Sequence, residues 1–245
     1  MQGLQFVTRD GFTLQGRWLP ATSNPRGTAV VIAHGFTASK DDPEVDEFAR
    51  GLADAGHDVL TYDSRGHNDS EGLCTLGDSE QFDVEAAVRE ARLRSGTVVV
   101  FGASMGAIAA LRYAATDHGL AGAVSLSSPA RWRVPRSASA VLAILMTRTK
   151  LGRYLAARFL RVRIHPLWTN PPPPEALVSS IRVPLAVVHG QADSFIHTGE
   201  ARRLVLAAVG PTRLELVPRM GHAFDRRGIP SIRRAIDWAL ATAPA

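Results

Sequence analysis

The chain has 245 residues, 45% of them apolar, and a formal net charge of +5, which suits one large α/β domain or a domain with an insertion. A single cysteine, Cys74, excludes an internal disulfide, and the longest apolar stretch, 140–146, is too short to span a bilayer. The first ten residues lack the basic end and long apolar centre of a signal peptide, so the sequence favours a cytoplasmic protein.

The chain opens with two alternating segments around Asp10-Gly11, a pattern that predicts a β-hairpin. The predicted strands are 4–8, 12–19, 28–33, 58–62, 97–101, 121–126, 184–189 and 213–217. Between the later strands, amphipathic periodicity predicts helices over 44–55, 79–94, 107–116, 198–209 and 230–240. Strands that alternate with helices indicate a mostly parallel sheet covered on both faces.

This pattern breaks after Pro129 for about 50 residues, where arginine-rich, predicted helical segments end at the proline run 171–174. We therefore predict an α/β core formed by 1–129 and 181–245, with 130–180 inserted as a cap over the strand ends. Between Pro129 and Pro174 there is no acidic residue. The basic residues there are Arg131, Arg133, Arg136, Arg148, Lys150, Arg153, Arg158, Arg161 and Arg163. This segment carries +9 and leaves −4 for the rest of the chain.

Three interpretations of the basic cap stay open. It could form an entrance that attracts anionic esters. It could dock amphipathic helices peripherally on an anionic membrane, without stable insertion. It could also be a solvated face that pairs with the acidic core. A nucleic-acid partner is not expected, because no binding motif accompanies the charge.

The apolar run 98–101 leads into Gly-Ala-Ser-Met-Gly, a Gly-x-Ser-x-Gly pentapeptide with Ser104 at its centre. A strand, a sharp turn and a helix in this order are typical of a nucleophile elbow. We expect a Cβ at Gly102 or Gly106 to collide with the neighbouring strand or helix. The pentapeptide alone arises by chance in roughly one chain in ten of this length. The alternative is that Ser104 only caps the helix.

A serine nucleophile needs a base, an orienting carboxylate and oxyanion donors, and this type of chain has the order Ser, Asp or Glu, His. His222, beside Gly221 in the loop after the last predicted strand, is the predicted base. Asp193, which follows the strand 184–189, is the predicted carboxylate, and its alternative is a helix cap. Asp225 ranks second for the carboxylate.

The predicted oxyanion donors are the backbone N–H groups of Phe36 and Met105. Phe36 follows His34-Gly35 at the end of a predicted strand, where glycine permits close passage of the backbone. We also expect the Phe36 side chain to line the acyl pocket.

Two further polar clusters are predicted to be structural. The motif from Asp63 through Arg65, Gly66 and His67 to Ser70 is expected to brace the loop beside the site. The acids Asp41, Asp42, Glu44, Asp46 and Glu47 fit no metal-ligand spacing, and acids near a helix start are favoured by the helix dipole. We therefore expect no metal site.

The runs 34–40 (HGFTASK) and 62–72 (YDSRGHNDSEG), with the elbow and the ordered Asp193 and His222, resemble the α/β-hydrolase superfamily. Within it they are similar to small carboxylesterases, to monoacylglycerol-lipase-like members and to bacterial feruloyl and cinnamoyl esterases. The resemblance covers about 4–128 and 181–240, and departs at Asn68, where the family often has glycine. It implies an eight-stranded, mostly parallel sheet and ester hydrolysis without a cofactor.

The expected function is therefore that of a serine carboxylesterase acting on small to medium esters. A thioesterase, a peptidase or amidase, a C–C bond hydrolase and a perhydrolase use the same triad, so these alternatives stay open. A non-catalytic binding protein of the same fold is a different class, but such proteins usually lose a triad member. Acyl-chain length and oligomeric state do not follow from the sequence.

Overall fold

The structure, a computed structural model, describes residues 2–132 and 138–243, with the side chains of 138–140 outside that description. A central sheet contains β1 (Gln2–Val7), β2 (Thr13–Leu19), β3 (Thr28–Ala33), β4 (Asp58–Tyr62), β5 (Thr97–Ala103), β6 (Gly122–Leu126), β7 (Leu185–Gly190) and β8 (Thr212–Val217). The strand order is β1-β2-β4-β3-β5-β6-β7-β8. Only β1–β2 and β2–β4 pair antiparallel, which confirms the predicted eight-stranded, mostly parallel sheet.

The helices are α1 (Pro43–Asp54), α2 (Gln81–Arg92), α3 (Met105–Ala114), α4 (Ala138–Arg148), α5 (Lys150–Phe159), α6 (Pro174–Leu177), α7 (Thr198–Ala207) and α8 (Ile229–Thr242). Short 3-10 turns follow at Val178–Ser180 and Arg226–Gly228. Within the described residues, no helix is both long and apolar enough to cross a bilayer.

Both faces of the sheet are buried, which explains the continuous apolar runs of its central strands. In β3, Val31 and Ala33 point into the cluster formed with α2, α3 and α7. Val30 and Ile32 point to the opposite face, where α1 and α8 supply the partners. Two helical layers therefore hold the sheet, and its carboxyl-terminal strand ends carry the loops that follow β3, β5 and β7.

Helices α4 and α5, in the segment between Pro129 and Ile181, pack over these loops. Met146 of α4 and Ala156 of α5 lie in a small apolar cluster with Met105 and Phe36, beside the elbow. The inner side of the cap helices therefore covers the loops on which the predicted oxyanion donors lie.

After α5 the chain is held to the core by backbone hydrogen bonds. Bridges join Val162 to His67 and Ile164 to Cys74. The N–H of Arg163 donates to Gly66 O at 2.7 Å, and its own carbonyl accepts from Cys74 N at 2.7 Å. Further along, the buried Arg112 guanidinium donates to Pro172 O at 2.6 Å, so the proline run is also fixed on the core.

Candidate active site

Ser104 lies between β5 and α3 with φ 53° and ψ −112°, a backbone conformation that a non-glycine residue rarely adopts. Its N–H donates to Leu126 O of the adjacent strand at 2.8 Å. A Cβ at Gly106 would lie 2.2 Å from Ala33 O, and one at Gly102 would lie 2.3 Å from Gly106 O. Close packing of the turn thus requires both glycines, Gly106 against β3 and Gly102 against the start of α3, and this packing holds the strained serine in place.

The structure brings Ser104, His222 and Asp193 together in one hydrogen-bonded chain. The Nε2 atom of His222 lies 3.0 Å from Ser104 Oγ, and its Nδ1 atom lies 2.8 Å from Asp193 Oδ2. The first distance is within the reach required for proton transfer, and the second is that of a hydrogen bond that orients the imidazole. Although Ser104 occupies the N-cap position of α3, its side chain makes no capping bond, so the helix-cap alternative is wrong.

The Asp193 side chain is fully buried, and every contact it makes favours the ionised form. Its Oδ1 accepts from the N–H groups of Phe195 at 2.9 Å and Ile196 at 2.8 Å. Burial alone would raise the pKa of Asp193, but the hydrogen bonds from His222 and these amides outweigh it and hold the pKa below its usual value. Asp193 does not cap α7, whose N-cap is His197.

A second histidine, His189 at the end of β7, contacts the same carboxylate and was missed in the sequence. Its Nε2 lies 3.4 Å from Asp193 Oδ2 and donates to Ile196 O at 2.8 Å. Burial lowers the pKa of His189, so the ring is neutral and its proton lies on Nε2. His189-Gly190 repeats the pattern of His34-Gly35 at a strand end, which was the available signal.

Asp225, the second-ranked carboxylate, shapes the loop that carries His222. Its Oδ2 accepts from Gly221 N at 2.9 Å, and its Oδ1 accepts from Arg227 N at 2.9 Å. The structure therefore places Asp193, not Asp225, on the imidazole.

The two predicted oxyanion residues lie on either side of the serine. Met105 is the first residue of α3, so its N–H has no acceptor within the helix. Phe36 follows Gly35, at which a Cβ would lie only 3.5 Å from Ser104 Cβ. His34 fixes this loop, because its Nδ1 donates to Gly35 O at 2.8 Å and its Nε2 accepts from Ser64 N at 3.0 Å.

Asp63, Arg65, His67 and Ser70 of the predicted motif are buried, and the motif is joined to the loop of Phe36. The carboxylate of Asp63 accepts from Lys40 N at 2.9 Å and from Lys40 Nζ at 3.0 Å, while Ser70 Oγ donates to Asp63 O at 2.6 Å. The Arg65 side chain pairs with Asp83 and Asp10. These contacts brace the loop, as the sequence predicts.

His67 of the same motif packs against the loop that carries His34 and Phe36. Its ring lies edge-on to the rings of His34, at 4.9 Å between centroids, and of Phe36, at 6.4 Å. Its Nδ1 donates to Arg65 O at 3.1 Å, and its buried Nε2 has no hydrogen-bond partner in the structure. Burial, reinforced by His34, lowers the pKa of His67 to about 4.

Cys74 is buried below the cap, with its Sγ 3.6 Å from Met105 Sδ. Burial raises the pKa of its thiol well above the usual value and so disfavours the reactive thiolate. Over residues 2–132 and 138–243, no group of three or more His, Cys, Asp or Glu side chains is arranged to hold a metal ion.

Known proteins resemble this chain in sequence or in fold. An uncharacterised protein of Mycobacterium tuberculosis is 28% identical over 222 residues, which cover 88% of this chain and 70% of the relative. A thiohydrolase of Eupenicillium brefeldianum is 42% identical over 72 residues, or 29% of this chain and 22% of the relative. The esterase Pf2001 of Pyrococcus furiosus shares the fold, with a TM-score of 0.72, 22% identity, and coverage of 97% of this chain and 90% of that one.

A sequence model of the alpha/beta hydrolase fold matches residues 28–172, more than half of the chain. The matched segment contains the loop of Phe36, the motif from Asp63 to Ser70 and the turn at Ser104. The chain therefore belongs to the α/β-hydrolase family.

Proposed function

We propose that this protein is a serine carboxylesterase that hydrolyses small to medium carboxylic esters through an acyl-enzyme. The observation that carries the proposal is the hydrogen-bonded chain from Ser104 through His222 to a buried, ionised Asp193, at a strained elbow. This arrangement makes an otherwise weak hydroxyl nucleophile reactive.

In the first step, His222 Nε2 takes the proton of Ser104 Oγ while Oγ attacks the ester carbonyl carbon. The N–H groups of Phe36 and Met105 bind the oxyanion that forms. Collapse of this intermediate breaks the bond to the alcohol oxygen, which leaves with the proton carried by His222. Ser104 then holds the acyl group as an ester.

In the second step, His222 takes a proton from water, and the water oxygen attacks the acyl-enzyme carbonyl. The same two amides stabilise the second oxyanion. When it collapses, the carboxylic acid leaves and the proton returns from His222 to Ser104 Oγ. Asp193 stays ionised throughout, because its role is to orient the imidazole and stabilise its charged form.

An ester with an apolar acyl group fits the surroundings of the elbow. Phe36, Leu76 and Met146 pack with Met105 next to Ser104. The likeness to the Pyrococcus esterase supports the same class of reaction. Anionic esters remain within the proposed class, because the charged residues of the cap before Glu175 are all basic.

Thioester hydrolysis is the second candidate, favoured by the segment shared with the Eupenicillium thiohydrolase. The triad chemistry is the same, with a thiolate as the leaving group. The acyl pocket and the catalytic residues would therefore be unchanged.

The test is labelling with a fluorophosphonate probe, together with turnover of matched p-nitrophenyl, thioester and anilide substrates of one acyl chain. We expect rapid labelling and an initial burst for the unaltered protein, and neither for Ser104→Ala. The matched control is Ser128→Ala, a buried serine that donates only to Pro129 O. Retained labelling in Ser104→Ala would refute the proposal, and a faster thioester than oxygen ester would select the second candidate.

A further inference from the structure

The outer surface of the cap is unusually apolar. In the described chain, sixteen large apolar side chains are exposed, and nine of them lie between Val141 and Leu160. These nine are Val141, Leu142, Ile144, Leu145, Leu151, Tyr154, Leu155, Phe159 and Leu160, and we name them the cap face. A contiguous apolar surface of this kind on a soluble domain marks an interaction site.

Helix α5 shows that this exposure is built into the fold. Leu151, Tyr154, Leu155 and Phe159 recur at helical spacing and lie on one side, with exposed fractions of 66%, 65%, 42% and 69%. The side that packs inward buries Ala156 instead. A helix that only covers the core would bury its large apolar residues, whereas α5 buries the small Ala156 and exposes its large apolar side chains.

Basic side chains accompany the cap face. Arg148, Lys150 and Arg158 are exposed on the same two helices, and the nearest acid in the sequence after them is Glu175. The contacts of these arginines are aromatic: Arg148 lies over Trp168 and Arg158 over Phe159. Their positive charge is therefore available to an outside partner.

We propose that the cap face binds peripherally to an anionic lipid surface. The apolar side chains would enter the boundary between headgroups and acyl chains, and the basic side chains would meet the lipid phosphates. Charge decides between this partner and a second copy of the chain, because two cap faces brought together would oppose like charges. The inference concerns binding, so it stands independently of the proposed esterase activity.

Docking of this kind would bring lipid to the covered side of the active site. The inner surfaces of the same two helices, at Met146 and Ala156, contact the cluster around Met105 and Phe36. An ester held in the lipid surface would then have to pass only the layer formed by α4 and α5 to reach Ser104. This consequence for substrates, unlike the binding itself, rests on the proposed function.

The experiment is flotation with vesicles of phosphatidylcholine alone or in equal parts with phosphatidylglycerol. It uses the full chain carrying Ser104→Ala, so that lipid cannot be hydrolysed. We expect binding to the mixed vesicles at least about tenfold tighter than to neutral ones, and weaker binding as salt is added.

Two double variants separate the apolar and basic contributions. Leu151→Ser with Phe159→Ser should weaken binding about tenfold or more, and Lys150→Gln with Arg158→Gln about twentyfold. The matched controls are Leu93→Ser with Leu206→Ser, and Arg182→Gln with Arg202→Gln, which alter exposed residues outside the cap. Circular dichroism and the melting temperature check that each variant folds.

Absence of vesicle binding would overturn the inference, as would equal binding to neutral and anionic vesicles. Equal losses in the cap and control variants would also overturn it. A dimer seen by light scattering that Leu151→Ser with Phe159→Ser dissociates, without any vesicle binding, would assign the face to a second copy instead.

Discussion

His189 and Asp193 meet at the end of β7, where the Nε2 atom of His189 lies 3.4 Å from the Oδ2 atom that also accepts from His222. The same Nε2–H donates to Ile196 O, while Asp193 Oδ1 accepts from Ile196 N. The turn from 193 to 196 is thus held by one hydrogen bond within it and by another from β7. A buried histidine thus contacts both the Asp193 carboxylate and the turn that carries it.

Replacing His189 by Leu should lower kcat about tenfold and leave KM nearly unchanged. The loss leaves the buried Ile196 carbonyl unpaired and releases the turn that aims Asp193, at a cost of about 1–3 kcal/mol. His189→Gln keeps an N–H donor and should recover most of kcat. Steady-state kinetics on a soluble ester, with the melting temperature of each variant, distinguishes this role from a loss of folding. Wild-type kcat in the Leu variant would show that backbone amides alone hold Asp193.

Asp193→Asn should reduce kcat about ten-thousandfold, because the amide cannot stabilise the imidazolium and favours the wrong tautomer. Asp225→Asn is the matched control, since it changes a nearby carboxylate that bonds to Gly221 N rather than to the imidazole. We expect that control to lose less than about tenfold, through small shifts of the loop. Comparable losses in the two variants would remove Asp193 from its proposed role.

Gly106→Ala should lower the free energy of unfolding by about 3 kcal/mol or abolish folding, since the new Cβ would lie 2.2 Å from Ala33 O. Gly96→Ala, where a Cβ meets nothing within 4 Å, should stay within about 0.5 kcal/mol of the unaltered protein. Urea denaturation of both variants measures the difference. Equal stability of the two would mean that the elbow does not pack on β3 as described.

Stability should fall as the pH drops from about 6.5 toward 4, partly because of His67. Its pKa is lowered from 6.5 to about 4, so across this range the unfolded chain binds a proton that the native protein does not. The resulting loss in the free energy of unfolding reaches about 3 kcal/mol near pH 4, since one pKa unit corresponds to about 1.4 kcal/mol. It is absent above pH 6.5.

His67→Asn removes the titrating ring while keeping an amide that can donate to Arg65 O. The decline in the free energy of unfolding between pH 7 and about pH 4.5 should therefore become shallower by about 2 kcal/mol. Urea denaturation at the two pH values checks this. A decline as steep as in the unaltered protein would mean that the buried ring accepts a proton at its ordinary pKa.

The central strands were predictable because both of their faces are buried. Thr28–Ala33 and Asp58–Tyr62 match their predicted bounds, as continuous β-branched runs favour. β5 was predicted to end at Phe101, whereas it continues through Gly102 to Ala103. Glycine is depleted in strands, but pairing with Ala33 and Ser125 on both sides overrides that preference here.

The proximity of Ser104, Asp193 and His222 could be predicted because each follows a strand, and the ends of parallel strands meet at one edge. The pattern His189-Gly190 indicates only a strand end, because the contacts of His189 depend on a turn that returns Asp193 and Ile196 to that end. The outward orientation of Leu151 and Phe159 could not be predicted from the sequence either. Leucine-rich periodicity looks the same in a helix that faces the core and in one that faces outward.

The segment 161–165 belongs mechanically to the core, although the sequence assigns it to the cap. Four main-chain hydrogen bonds join it to residues 66–74: Asn68 N to Arg161 O, Arg163 N to Gly66 O, Cys74 N to Arg163 O and His165 N to Cys74 O. Because these bonds use backbone atoms, they survive changes of side chain. If the cap is replaced by that of a related hydrolase, the C-terminal junction of the exchanged segment should therefore lie directly after Leu160. Such a chimera would exchange α4 and α5 and keep the backbone hydrogen bonds that support the loop beside Phe36.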